Sequence, residues 1–352
     1  MSVTVHQRPG VYSSYDASSV ASSGGSGRLV GLAGISTKAE AGKLQLVTSY
    51  DQAVELFGSD GEEGMAELIR LALQNGAGGV AAVAVAGEED YETAFELLAG
   101  TEDLAAVLCG STGLEVQQKL RDSVVQASQA RRERVAVVAG AAGESVEELV
   151  TRAKGINHER VVLAAPGGLS RSGQALSGLT VAAAIAGVLA GEQDPAVPLG
   201  GAELRGLPGL DGQYRDGELD VLILGGVTPA ESLSGRVSVV RGVTTRTTTG
   251  GAADATWREL AMVRIVDNVI PSLRDALRSK FQRAKNTPQS RSAIRAQVIL
   301  ELENKLAREI ITGYDSVSVT ADSTDPTRCL VDFSFAAAHG LNQIWLTAHI
   351  SV

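Results

Sequence analysis

Short, uniformly apolar runs alternate along the chain with stretches in which apolar positions recur every three or four residues. The runs are Leu29 to Ile35, Val80 to Ala86, Ala105 to Cys109, Val135 to Ala139 and Val161 to Ala164. Apolar at nearly every position, they have the pattern of strands covered on both faces. Residues 61–75, 91–99, 113–130 and 145–154 between them carry helical patterns, and a further helix is expected near 178–190. This alternation predicts an α/β fold: a central, doubly wound, mostly parallel sheet with helices on both faces. Residues 195–220, rich in Pro, Gly and charge, predict a loop excursion before another strand at Val221 to Leu224.

Beyond residue 250 the pattern changes. Val266, Ile270, Leu273, Leu277 and Ala284 predict a helix that Pro271 either opens or kinks. A second helix carries Val298, Ile299, Leu302, Leu306 and Ile310, with Gly313 placed to end it. Strands are expected at Ser316 to Thr320, Arg328 to Phe335 and Ile344 to Val352. Leu330, Asp332, Phe333 and Phe335 do not alternate, which leaves the facing of the middle strand open. The expected organisation is an extended arm (1–27), an α/β core (28–250), a C-terminal α+β domain (251–340) and a terminal strand or arm (341–352).

The first 27 residues hold little that could form a core. Ser13 to Gly27 is a Ser/Gly/Ala tract, and upstream of it Val3 and Val5 alternate with polar residues before a turn and extended piece at Arg8, Pro9, Gly10, Val11 and Tyr12. A lone strand of this kind needs a partner. No basic segment followed by an apolar run opens the chain, so synthesis and assembly in the cytoplasm are expected. The apolar stretch Leu179 to Ala190 is shorter than the roughly 20 residues that cross a bilayer. No membrane insertion is expected.

A formal net charge of −10 over 352 residues excludes a general nucleic-acid binder, because neutralising phosphates takes a basic surface. The charge is unevenly spread. Trp257 to Gly313 holds 11 Lys and Arg against 6 Asp and Glu, a net +5 that leaves −15 on the rest. Cys109 and Cys329 lie in apolar runs and read as inert core thiols, not as a disulfide framework or metal site.

Enzyme chemistry finds few candidates. Gly25, Gly27 and Gly31 lack the G-x-G-x-x-G spacing and precede a strand where a dinucleotide fingerprint must follow one. The loop Gly167 to Gly173 is better placed, after a strand and before a helix, and its N–H groups could hold an anion. It lacks the lysine of a P-loop and the second glycine of a nucleophile elbow around Ser170. His158, in the loop before the strand at 161–164, is the one histidine outside the terminal regions that could serve Ser170 as a base. No catalytic residue, cofactor site or metal ligand set emerges.

Taken together, Arg8-Pro9-Gly10-Val11-Tyr12, the Ser/Gly arm, the first core strand followed by Ser36 and Thr37, the two late helices around Asn286, and the closing strands with Asp332 resemble the contractile phage tail sheath family over the whole chain. The resemblance implies a non-catalytic central domain of subtilisin-like topology. It also implies a subunit of a hollow, six-stranded helical homopolymer around an inner tube, with baseplate and tail terminator proteins as further partners and no direct nucleic-acid contact. The chain is short for that family, which suggests a compact member from a Gram-positive phage or a phage-tail-like bacteriocin, assembled in the host cytoplasm and then part of a virion or extracellular tail particle.

On this reading the arm strands, with Val3, Val5, Val11, Tyr12, Ile344, Leu346, Ile350 and Val352, pair with neighbouring subunits. At about 3.3 Å per extended residue the N-terminal arm reaches up to about 90 Å. A basic stripe of Arg274, Arg278 and Lys285, or the Arg291 and Arg295 end of the next helix, is expected to face the tube. Two alternatives remain: an α/β hydrolase or nucleotide-binding enzyme using the Gly167–Gly173 loop, and a non-contractile oligomeric adaptor.

Overall fold

The computed structural model describes residues 27–59, 61–342 and 344–347. The chain opens with β1 (Leu29–Ile35), β2 (Leu44–Val47), α1 (Tyr50–Phe57), α2 (Met65–Gln74), β3 (Gly79–Val85), α3 (Tyr91–Gly100) and β4 (Leu104–Cys109). It continues through α4 (Leu114–Gln129), β5 (Val135–Ala139), α5 (Val146–Ile156), β6 (Val161–Ala165), α6 (Leu179–Gly191), α7 (Asp216–Leu224), β7 (Val227–Leu233) and β8 (Arg236–Val239). The eight strands form one sheet in the order β2-β3-β1-β4-β5-β6-β7-β8, with only the edge pairs β2–β3 and β7–β8 antiparallel.

Both faces of this sheet are covered, and for that reason its central strands are apolar throughout. On one face Val30, Leu32, Val80 and Ala82 pack with α1, α2 and α6. On the other, Ala33, Ala81, Val83 and Val107 pack with α3, α4, α5 and Leu222 of α7. Local signals fix the helix starts. Ser145 and Glu148 form a capping box at α5, and Ser49 accepts from Gln52 N–H at α1. Arg134 is an unexpected buried charge: it donates to the carbonyls of Leu98 and Thr101, both at 2.8 Å, and burial pushes its pKa down to about 10.

Two expectations need correction. Val221 to Leu224 is not a strand but the last turn of α7, and the strand begins after Gly225 and Gly226, where Gly226 adopts φ +83°. The helix expected over 61–75 is preceded by a separate one, α1, with Gly58 and Gly61 (φ +83° and +93°) between it and α2.

Past two short strands, β9 (Thr248–Thr249) and β10 (Ala252–Ala253), come α8 (Leu260–Phe281), α9 (Pro288–Ala307), β11 (Ile311–Ala321) and β12 (Cys329–Ala337). Leu273, Val298, Leu302, Ile311 and Val317 form a third core there. Pro271 lies inside α8 and does not open it, so the Asp267 carbonyl lacks its usual N–H donor. β12 does alternate: Val331, Phe333, Phe335 and Ala337 turn inward, while Leu330, Asp332, Ser334 and Ala336 are exposed. Of the strand expected from Ile344 to Val352, residues 344–347 form no ladder with other described residues, and Ile350 and Val352 lie outside the described residues.

Candidate functional site

The Gly167–Gly173 loop is filled by the protein itself. Arg171 N–H donates to Glu62 Oε1 at 2.8 Å, and Ser177 N–H donates to Glu63 Oε1 at 2.9 Å. The N–H groups of Leu169, Ser170 and Gly173 donate to the carbonyls of Gly209, Gln174 and Ser170. Donors that could have held a substrate anion are thus occupied by carbonyls and by two carboxylates. Ser170 is buried, its hydroxyl accepting from Gln174 N–H at 2.8 Å and paired with Ser172. His158 precedes β6 and Ser170 follows it, so a strand of about 16 Å separates them. They do not form a dyad.

At the sheet's topological switch point β1 and β4 stay paired to the end of β4. Strand order reverses at β1, where α/β folds usually bind ligands beyond the carboxyl ends of the strands. There Gly110 N–H donates to Ala33 O at 2.7 Å, and a methyl group on Gly110 would lie 3.1 Å from Gly34 Cα. Burial pushes the neighbouring Cys109 thiol up to about 12, which keeps it protonated. Among the described residues no group of three or more His, Cys, Asp or Glu could hold a metal ion, and no helix is long and apolar enough to cross a membrane.

His158 has a structural role that titration can test. Its Nδ1 accepts from Arg160 N–H at 3.1 Å, and burial pushes its pKa below the usual range. Arg121, Arg160 and Arg246 add to that shift and Glu159 opposes it. The unfolded chain therefore takes up this proton first, near pH 6.5. Stability from neutral His158 is complete above that value and is lost as pH falls through the lower, folded value. Tm should drop on acidification below about pH 6.5, and a His158→Asn variant should show a shallower drop. Equal slopes would mean that His158 is not the group responsible.

With no cleft chemistry in place, sheet edges and charged surfaces remain. Among the described residues both edges of the large sheet are partly covered. At β2 the Gln52 amide donates to Leu46 O at 3.1 Å and accepts from Thr48 N–H at 3.1 Å. At β8 the segment 201–204 covers the edge, with Leu204 N–H on Val237 O and Val239 N–H on Ala202 O. The β11–β12 ladder differs: among the described residues it has two strands and no third. Beyond it, Leu341, Ile344 and Leu346 project into solvent, Leu346 with 91% of its surface exposed.

The five basic residues separate into different settings. Arg274, on α8, is paired across to Glu133 of the α/β layer at 2.9 Å. Arg278 is exposed near the end of α8, but Lys285 lies past that end, so the three do not share one helical stripe. On α9, Arg291 donates to Asn286 Oδ1 at 2.8 Å and Arg295 to Val317 O at 2.8 Å, bonds that hold the helix to its surroundings. The contact the sequence did not reveal is Arg160 with Asp267, a two-pronged pair at 2.7 and 2.8 Å, largely buried between β6 and α8. It couples the α/β layer to the C-terminal helices. No spacing rule could have linked residues so far apart in sequence.

The α/β layer and the helix–hairpin unit after it define a two-part α/β protein whose Gly167–Gly173 loop is occupied by its own carbonyls and carboxylates. Comparison with known proteins gives its family. The phage tail sheath protein central domain matches residues 84–245, and the phage tail sheath C-terminal domain matches residues 252–351. The chain belongs to the phage tail sheath family. It is 30% identical over 253 residues to the tail sheath protein of Bacillus phage SP01, an alignment covering 70% of this chain and 43% of that longer relative. Its fold is similar to the anti-feeding prophage helical sheath in the contracted state, with TM-score 0.73 and 15% identity over 99% of this chain and 100% of that one. The sheath tail protein from Desulfitobacterium hafniense is also similar, with TM-score 0.69 and 12% identity over 93% of this chain and 100% of the other.

Proposed function

We propose that this chain is the sheath subunit of a contractile tail, polymerising as a helical cylinder around an inner tube and contracting to drive that tube through a target envelope. The observation that carries the reading is the two-stranded β11–β12 ladder beside an exposed apolar segment, in a chain of the sheath family. A strand from a neighbour on that ladder would satisfy its open backbone groups, while the edges of the large sheet are already partly covered from within the chain. In this arrangement residues 1–27 and 341–352 are tethers, 28–250 the rigid core and 251–340 the docking domain. Partners are copies of the chain, the inner tube, the baseplate and the terminator, first in the host cytoplasm and then in the virion or extracellular particle. The occupied Gly167–Gly173 loop supports a role without catalysis.

Electron microscopy of the purified chain tests the proposal. Long hollow cylinders are expected; discrete rings would point to an adaptor, and monodisperse particles with turnover to an enzyme. Of the five basic residues proposed to face the tube, Arg278 and Lys285 are exposed and outside the pairs that bind Arg274, Arg291 and Arg295, which makes them the first to test. Replacing both by glutamate should weaken assembly around the tube while cylinders without a tube persist. The wild-type contact should fade with salt, since charges at such surfaces are screened over about 8 Å at physiological ionic strength. Tube-bound assembly indifferent to both changes removes these residues from the tube interface.

A further inference from the structure

Both ends of the folded body meet one short segment, the end of α6 and the loop after it. At the N-terminal root, Arg28 N–H donates to Ala190 O at 2.9 Å. A Cβ on Gly27 would lie 2.1 Å from Gly76 O and 3.2 Å from Ala190 O, so the main chain enters there with no room for a side chain. At the C-terminal root the chain leaves β12 through Ala338, whose N–H donates to Ile310 O at 3.2 Å, and then crosses back to the α/β layer. There Gly340 lies against Pro198, where an added Cβ would meet the proline Cβ at 2.8 Å and its Cγ at 3.0 Å. Past this contact Leu341 stands in solvent with 76% of its surface exposed.

Between Ala190 and Pro198 a side chain of α8 holds the segment. Arg264 Nη2 donates to Glu192 O at 2.9 Å and Nη1 to Val197 O at 3.4 Å, so one bond lies just inside each root. Both bonds carry the charge of the guanidinium. Hollows of about 250 and 240 Å³ flank the side chain, the first lined by Arg28, Ala190 and Glu192 and the second by Val188, Val197 and Pro198. Open space on both sides leaves the attachment of this stretch to α8 largely to Arg264, with Ala196 adding contact to the third core. Within the segment, Asp194 N–H donates to the Glu192 carboxylate and Ala196 N–H to the Asp194 carboxylate, which curls it into a compact turn.

We infer that residues 190–199 are a shared anchor for both terminal tethers, and that Arg264 is the positioning residue that fixes the two roots relative to each other and to α8. The inference rests on the polymeric sheath reading, in which a neighbour pulls on each arm. Tension on the N-terminal arm then enters the body at Ala190, and tension on the C-terminal arm at Pro198. Gly340 is nearer the pulled end than Ala338, so the Pro198 contact takes the load before the β11–β12 hairpin does. The hairpin is thereby spared. Both loads pass to α8 through one guanidinium, a contiguous chain of contacts that couples two ends far apart in sequence.

The test is hydrogen exchange on the full chain, read at the amides of Arg28 and Ala338, which bond to Ala190 and Ile310 and not to Arg264. Arg264→Ala should speed exchange at both several-fold and shorten the cylinders seen by electron microscopy. Arg264→Lys, which keeps the charge but not the fork, should show the same changes at smaller size, and it serves where the alanine variant does not fold. Gly340→Val should speed exchange at Ala338 alone, because it lifts the C-terminal root only. Arg274→Ala, which removes the α8 pair to Glu133, should leave both amides as they are. Faster exchange confined to residues 191–199, or equal effects from Arg264→Ala and Arg274→Ala, overturns the shared anchor and leaves the sheath reading standing. Failure of the unsubstituted chain to form cylinders overturns the sheath reading and the tether role with it.

Discussion

Deleting Ser2 to Tyr15 should leave a subunit that unfolds at an unchanged temperature and forms no cylinders. Among the described residues the body is already tied at Arg28, whose N–H donates to Ala190 O at 2.9 Å and whose guanidinium donates to Leu104 O at 2.9 Å; Val3, Val5, Val11 and Tyr12 lie outside the described residues. Every strand of the large sheet has its neighbours downstream of that point. The deleted segment brings Val3, Val5, Val11 and Tyr12 but little else that a core could use, so its removal costs the monomer little. On the proposed reading what the polymer loses is a main-chain tether, and that loss is multiplied at every joint. Truncation after Asn342, which removes Ile344, Leu346, Ile350 and Val352, should have the same outcome. If either terminus were instead an edge strand of its own subunit, Tm would fall with the deletion. Cylinders that still form and contract without shedding subunits would show that the arms do not hold the lattice.

The parallel sheet was legible because its strands are buried on both faces, which writes them into the sequence as unbroken apolar runs such as Val135–Ala139. Edge strands leave no such mark. β2 and β8 are four residues each and half exposed, so their composition resembles a loop. Val221 to Leu224 misled for the converse reason: a helix end with Leu222 inward and Val221 and Leu224 outward also reads as an apolar run. On β12 the alternation starts one residue later than the apolar count suggests, since exposed Leu330 belongs to the outer face. The site was legible only through resemblance. Interfaces between copies need no fixed constellation of reactive groups, and the contacts within the chain that spacing could not reveal, Arg160 with Asp267 and Gln52 with the β2 edge, depend on a fold already formed.

Substituting Gly187 by leucine should destabilise the folded subunit by about 3 kcal/mol or more, the upper range for overpacking, and lower Tm by about 10 °C for a domain of this size. α6 packs against α2 with its backbone unusually near. A Cβ at Gly187 would lie 2.3 Å from the Ala72 carbonyl oxygen and 2.8 Å from Asn75 Cβ, and one at Gly191 would lie 2.9 Å from Gly76 Cα. The obstacle at Gly187 is main chain, so no change of rotamer relieves it and the helices must separate. Separation would loosen Val181, Ala183 and Ile185, side chains that α6 packs wholly inside the core. A control at Gly100, where an added Cβ meets nothing within 4 Å at the end of α3, should keep or slightly raise Tm on change to alanine. On the proposed contractile reading the consequence for function follows from rigidity: a core that shifts between two lattice packings as one body cannot yield at its central helix. Gly187→Leu cylinders, where they form at all, should therefore fail at lower temperature than wild-type cylinders. A Gly187→Leu subunit with unchanged Tm would show that the α6–α2 spacing does not limit this core.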